Sequence, residues 1–129
     1  MAHTLDELPV YAAAVKFCSA VNAILQRSAV CRDFDVHGQI SSANDSITAN
    51  MKEGFEQSTD KSFANFLTHS KASLAEVLER LSQAEQKQYL TKHELQVFRT
   101  EGDTLARMLG GFIKYLDRSD FKKRGRFRR

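Results

Sequence analysis

The stretch TKHELQVFRTEGDTLARMLGGFIKYL, Thr91 to Leu116, decides the fold class. Leu95, Phe98, Gly102, Leu105, Leu109, Phe112 and Leu116 recur in it at alternating spacings of three and four, which is one stripe along a helix. Its start is marked by Thr91 with Glu94 three residues on, a capping box in which each side chain satisfies the other residue's otherwise orphaned N–H. A repeat of about 3.5 residues keeps the seam facing a neighbour over many turns, so the stripe predicts long, nearly parallel helix packing.

Three more segments read the same way upstream. Phe63, Phe66, Leu67, Ser70, Leu74, Val77, Leu78 and Leu81 trace a stripe that follows the polar break Ser58-Thr59-Asp60 and ends near Ala84. Before it, Asp33 or Asp35 can cap a segment carrying Val36, Ile40, Ala43, Ile47, Met51 and Phe55, with Gly54 foretelling its stop. The earliest segment runs from about Pro9 to about Ser28 on Val10, Ala13 or Ala14, Phe17, Val21, Ile24 and Leu25, and Pro9 suits a first helical turn. One proline and six glycines leave little punctuation for hairpins. The expected fold is all-α, an antiparallel up-down-up-down four-helix bundle over residues 1–118, with 119–129 as a flexible basic tail. Phe66, Leu78, Met108 and Ile113 widen their stripes, which predicts either a broad core face or a second face that meets another subunit.

Composition narrows the class further. An apolar fraction of 42% and a charged fraction of 27% are those of an ordinary globular chain, with no run long enough for a membrane span. The opening MAHTLDELPVYAAAVKF has acids where a signal peptide needs bases, so a cytoplasmic protein is expected. Cys18 and Cys31 lack a second pair or a CxxC motif and read as free thiols.

Charge is segregated along the chain. All 16 acids lie at or before Asp120, whereas six of the 19 bases fall in the last nine residues, FKKRGRFRR. Residues up to Asp120 thus carry thirteen bases against sixteen acids, a net of −3, and the tail carries +6. Lys122, Lys123, Arg124, Arg126, Arg128 and Arg129 can neutralise phosphates while Phe121 and Phe127 stack on unpaired bases. The chemistry predicts nucleic acid as partner, RNA before duplex DNA. The competing readings are a solvated tail, one docked on the acidic body of a neighbouring subunit, and one drawn to a membrane surface.

The segment QISSANDSITANMKEG, Gln39 to Gly54, resembles the second helix of the 23S rRNA intervening-sequence proteins, which commonly reads QIRRAAVSIPSNIAEG. Gln39, Ile40, Ala43, Ser46, Ile47, Asn50, Glu53 and Gly54 match it position for position. The similarity continues through Phe66-Leu67, ASLAE at Ala72 to Glu76, Gln88-Tyr89-Leu90 and RMLGGFIKYL at Arg107 to Leu116. The resemblance implies a four-helix bundle that forms a homo-oligomeric ring, typically a pentamer. It further implies kinship with accessory proteins of diversity-generating retroelements, hence a reverse transcriptase or nucleic acid as partner. It brings no catalytic residues. Ser41 and Ser42 stand where the family has paired arginines, which removes a basic surface, and Thr48 stands where it has a proline, which leaves the helix straighter.

Gln39, Ser46, Asn50 and Glu53 border the apolar stripe of that segment and are expected to join in a structural polar network. No cofactor or metal is expected. A metal-bearing bundle needs inward Glu-x-x-His repeats, and His3, His37, His69 and His93 are scattered instead. The nucleophiles have no adjacent base signature, and Gly110-Gly111 lies inside a helical stripe and opens no phosphate loop, so an enzyme is not expected.

Overall fold

A computed structural model describes residues 4–119. Among them the chain is all-helical and contains no strand. A 3-10 turn at Leu5–Glu7 leads into α1 (Pro9–Leu25), α2 (Ser28–Arg32), α3 (Phe34–Phe55), α4 (Asp60–Gln86) and α5 (Lys92–Asp117). Four of these helices are long.

The long helices start either on a proline, which lacks an N–H to be orphaned, or on a side chain that satisfies an orphan N–H. Pro9 opens α1. Asp33 resolves the choice of cap for α3, its Oδ1 accepting from the Val36 N–H at 3.2 Å. Thr59 caps α4 by accepting from the Ser62 N–H at 3.1 Å. The box at α5 is complete, with Thr91 Oγ1 accepting from the Glu94 N–H at 3.0 Å and Glu94 Oε1 from the Thr91 N–H at 2.8 Å. At the far end of α4, Gln88 adopts a left-handed φ of 67°. That turn lets the Tyr89 and Gln88 N–H groups bond back to Ala84 O at 3.0 Å and Glu85 O at 2.8 Å, so the last carbonyls of α4 are satisfied without a glycine.

The short α2 is absent from the sequence reading, which has the first segment running on to about Ser28. Five residues are too few to show a period, and the helix is held by tertiary contact: Val30 at its centre is fully buried.

Helix α4 runs antiparallel to both α3 and α5. On α3 and α4, Gly54 meets Phe63, Ile47 meets Ser70 and Ser46 meets Ser73. On α4 and α5, Phe63 meets Phe112, Leu78 meets Gly102 and Ser82 meets Arg99. Helix α1 closes against α3 and α5 less extensively than α4 packs on its two neighbours. The core follows most of the stripes read from the sequence, with Ile40, Ile47, Met51, Phe63, Leu67, Leu74, Leu81, Leu109 and Leu116 fully buried, and adds Leu8, Tyr11, Val30 and Leu90 from outside them, whereas Phe112 of the α5 stripe is only partly covered. Phe66, Leu78, Met108 and Ile113 are only partly covered. No helix among the described residues is long and apolar enough to cross a membrane.

Two close approaches shape the packing. A Cβ on Gly54 would lie 2.8 Å from both Phe63 Cδ1 and Phe66 Cβ, so α3 and α4 come together there only because the side chain is missing. A Cβ on Gly102 would lie 2.9 Å from Leu78 Cδ1. Beside the first approach Phe63 stands edge-on to Phe55 at 6.0 Å and to Phe112 at 5.5 Å, an arrangement that aromatic quadrupoles favour.

Candidate nucleic-acid interface and polar interior

The described chain ends two residues past α5, at Ser119. Phe121, Lys122, Lys123, Arg124, Arg126, Phe127, Arg128 and Arg129 therefore lie outside the described residues. Helix α5 stops at the end of the molecule where α1 begins, its Met108, Gly111 and Phe112 lying beside Pro9 and Val10.

Of the expected polar network, two members meet. Asn50 Nδ2 donates to Ser46 O at 2.8 Å and to Ser46 Oγ at 2.9 Å, and Ser73 of α4 joins through its hydroxyl at 2.8 Å from Ser46 Oγ. Gln39 and Glu53 are exposed and stay out of it. A side chain at the margin of a stripe needs a polar partner on the facing helix, and Ser73 supplies one only at the middle of α3.

Two polar residues nearer the centre carry more. Asn44, 1% exposed, donates through Nδ2 to Cys18 O and to Asn22 Oδ1, both at 3.1 Å, and ties α3 to α1. Ser70 donates to Ile47 O at 2.8 Å and ties α4 to α3. The bonds to Cys18 O and Ile47 O use backbone carbonyls of the partner helix, so they fix helix register. The Cys18 thiol beside Asn44 is pushed up to about 11, chiefly by burial and next by the nearby Asp45 carboxylate. It stays protonated at neutral pH and is no nucleophile. Cys31 is exposed. No group of three His, Cys, Asp or Glu side chains that could hold a metal occurs among the described residues.

The opposite end of the molecule is clamped by charge. Arg27, just after α1, donates to Tyr89 O at 3.0 Å and grips both carboxylate oxygens of Glu94, so the first helix is tied to the last through the α4–α5 turn. The Glu94 carboxyl is held down at about 2 by the Arg27 hydrogen bonds first and the Thr91 N–H second, and the Arg27 guanidinium is raised in return. Asp33 accepts from the Tyr89 hydroxyl at 2.7 Å and from Lys87 Nζ at 3.1 Å, which lowers its carboxyl below the usual range.

A prediction follows from the sign of these shifts. Glu94 binds its proton more weakly folded (about 2) than unfolded (4.5), so its contribution is complete above the unfolded value and fades as pH falls from 4.5 towards 2. With the side chains of Arg27 and Glu94 40% and 33% exposed, solvent screening limits that contribution to on the order of 1 kcal/mol or less. Urea unfolding at pH 6 and pH 3 is expected to show a smaller loss on acidification for Glu94→Gln than for the unaltered chain. An unchanged loss would mean that other carboxylates set the acid response.

Compared with known proteins, the chain matches no curated protein and no solved structure. The sequence profile of the family described as 23S rRNA-intervening sequence protein matches residues 6–111, which takes in α1 through the glycine pair of α5. The stripes of α3 and α4, the Gln39 to Gly54 segment and this match over most of the length agree, and the chain belongs to the 23S rRNA-intervening sequence protein family.

Proposed function

We propose that the protein is a non-enzymatic accessory factor, an antiparallel up-down-up-down four-helix bundle that assembles as a homo-oligomer, as a pentamer on the family resemblance, and binds nucleic acid through its C-terminal tail. The observation that carries this reading is the separation of charge, −3 on residues up to Asp120 and +6 on the nine that follow. Phe121 and Phe127 favour single-stranded RNA over duplex DNA, because unpaired bases offer faces on which rings can stack. In a pentamer five tails act together, and linked weak sites gain avidity without a new contact. A reverse transcriptase is the protein partner that kinship with retroelement accessory proteins would supply.

Fluorescence anisotropy tests the reading with a single-stranded RNA, a structured RNA and a duplex DNA. The full chain is compared with a variant in which Lys122, Lys123, Arg124, Arg126, Arg128 and Arg129 are all glutamine. Six phosphate contacts on a single strand make affinity fall roughly 300-fold between 50 and 200 mM salt, and the glutamine variant is expected to lose most of that dependence. Equal, salt-insensitive behaviour of the two forms would overturn the proposal.

A second reading, a protein-interaction scaffold, is favoured by two exposed aromatics. Phe34 is 84% exposed beside an open cleft of about 580 Å³ lined by Ala29, Arg32, Asp33, Asp35 and Tyr89, and Tyr115 is 60% exposed near the other end. Absence of nucleic-acid binding by either form in the same experiment selects that reading.

A further inference from the structure

Two of the glycines in α5 have no packing reason to be there. Gly102 makes room for Leu78, but a Cβ on Gly110 would meet only the tip of Lys71, Nζ at 3.5 Å, and one on Gly111 would meet nothing within 4 Å. Adjacent glycines weaken a helix interior relative to alanine, so the pair is a cost that the fold itself does not require.

What the missing side chains expose is a shallow cleft of about 520 Å³ between α4 and α5. Gly110, Gly111 and Ala106 floor it, and Lys71, Arg107, Lys114 and Asp103 surround it. Lys71 reaches over from α4 to lay its ammonium on Gly110. Among the described residues neither Lys71 nor Lys114 has a carboxylate within 4.0 Å, and Arg107 is paired only with Asp103 one turn back on its own helix. Three cations against one acid thus border bare helix backbone. Arg118 continues the same side of α5 one turn beyond Lys114, and the residues after it carry the +6 tail.

We propose that this cleft is a binding site for a chain of phosphates on the body of the protein. Lys71 and Lys114 contact the phosphate oxygens from the two helices, and Arg107 exchanges Asp103 for the ligand. The absence of Cβ atoms lets a phosphate sit against the helix between the cations, where side chains of ordinary size would hold it off. In the setting of the nucleic-acid reading, on which its physiological ligand rests, the site takes the phosphodiester backbone of a strand, with Arg118 next along the same side of α5. A free polyphosphate offers the same chemistry.

The test is a titration of the full, 15N-labelled chain with inorganic tripolyphosphate, followed by a short single-stranded RNA. The Gly110 and Gly111 amide signals are expected to shift saturably with tripolyphosphate, and to do so equally when the six tail cations are glutamine. In the Lys71→Gln/Lys114→Gln double variant the affinity is expected to fall at least tenfold. For RNA the same variant should lower the slope of log affinity against log salt by about 1.4, the share of two contacts on a single strand. Gly110→Ala/Gly111→Ala is expected to melt a few degrees higher and to bind tripolyphosphate more weakly, a pairing of effects that a purely structural glycine pair would not give. Unchanged binding by the double lysine variant, shifts confined to residues next to the tail, or glycine signals that respond to protein concentration and not to the anion would each overturn the proposal. Saturable tripolyphosphate binding with no RNA binding would leave the site standing with a free polyphosphate as its ligand, and only the nucleic-acid reading would fall.

Discussion

Phe63→Ala is expected to destabilise the protein by about 3–5 kcal/mol and to lower its melting temperature by roughly 10–20 °C. Phe63 is fully buried, and its ring fills the space where α3, α4 and α5 converge, edge-on to Phe55 and Phe112. Truncation removes the transfer energy of the ring and both edge-to-face contacts, and it leaves a cavity that its walls cannot fill. One wall is backbone, since Gly54 has no side chain to move into the gap. The opposite wall is Phe112, itself stacked on Tyr115 at 6.0 Å. Thermal and urea unfolding followed by circular dichroism measure the effect, and Phe63→Leu, which keeps much of the volume, should lose less than half as much. A loss of under about 1 kcal/mol for the alanine variant, below the range for a buried aromatic, would mean that the three helices do not converge on this ring.

Gly54→Ala is the second large effect, and its sign separates two kinds of argument. Helix propensity alone predicts a gain of up to about 1 kcal/mol, because Gly54 lies inside the last turns of α3. Packing predicts the opposite. The new Cβ would sit 2.8 Å from Phe66 Cβ, an atom fixed to the α4 backbone, so relief requires the helices themselves to part. Overpacking of this kind costs about 1–3 kcal/mol, and a net loss within that range is expected in urea unfolding. The same glycine-to-alanine change is expected to stabilise at Gly110 and Gly111, where the space is open. A stabilised Gly54→Ala variant would remove the close α3–α4 approach from the fold.

Much of this architecture is legible in the chain because long helices repeat their signal. The alternation from Leu95 to Leu116 and the Thr91–Glu94 box place α5 within a residue of its observed start. Gly54 was legible only as a stop signal; its larger role, admitting Phe63 and Phe66, depends on which helix faces it, and periodicity does not say. The polar margin of α3 is legible only in part, for a related reason. Gln39, Ser46, Asn50 and Glu53 share one margin of α3, which points to a continuous network, but only Ser46 finds a polar group opposite, Ser73, and Asn50 bonds to Ser46 one turn back on its own helix. Asn44 went unnoticed because its polarity hid it from an apolar stripe, although it follows Ile40 by four and precedes Ile47 by three. The cleft at Gly110 and Gly111 needed the structure outright, since Lys71 lies on a different helix.

The order in which these helices pack also bears on how the chain assembles. Helices α3, α4 and α5 follow one another through short turns and pack on their sequence neighbours, so most of their contacts close small loops, which makes for rapid folding. The pairing of α1 with α5 spans nearly the whole chain and is expected to form after the others, because it closes the longest loop. Arg27, which joins those two helices, is consequently expected to form its grip on Glu94 late in folding. A bond made after the rate-limiting step acts on the lifetime of the folded molecule and hardly on the speed of folding. The clamp at that end is in this sense a kinetic latch, one that acid would loosen by protonating Glu94.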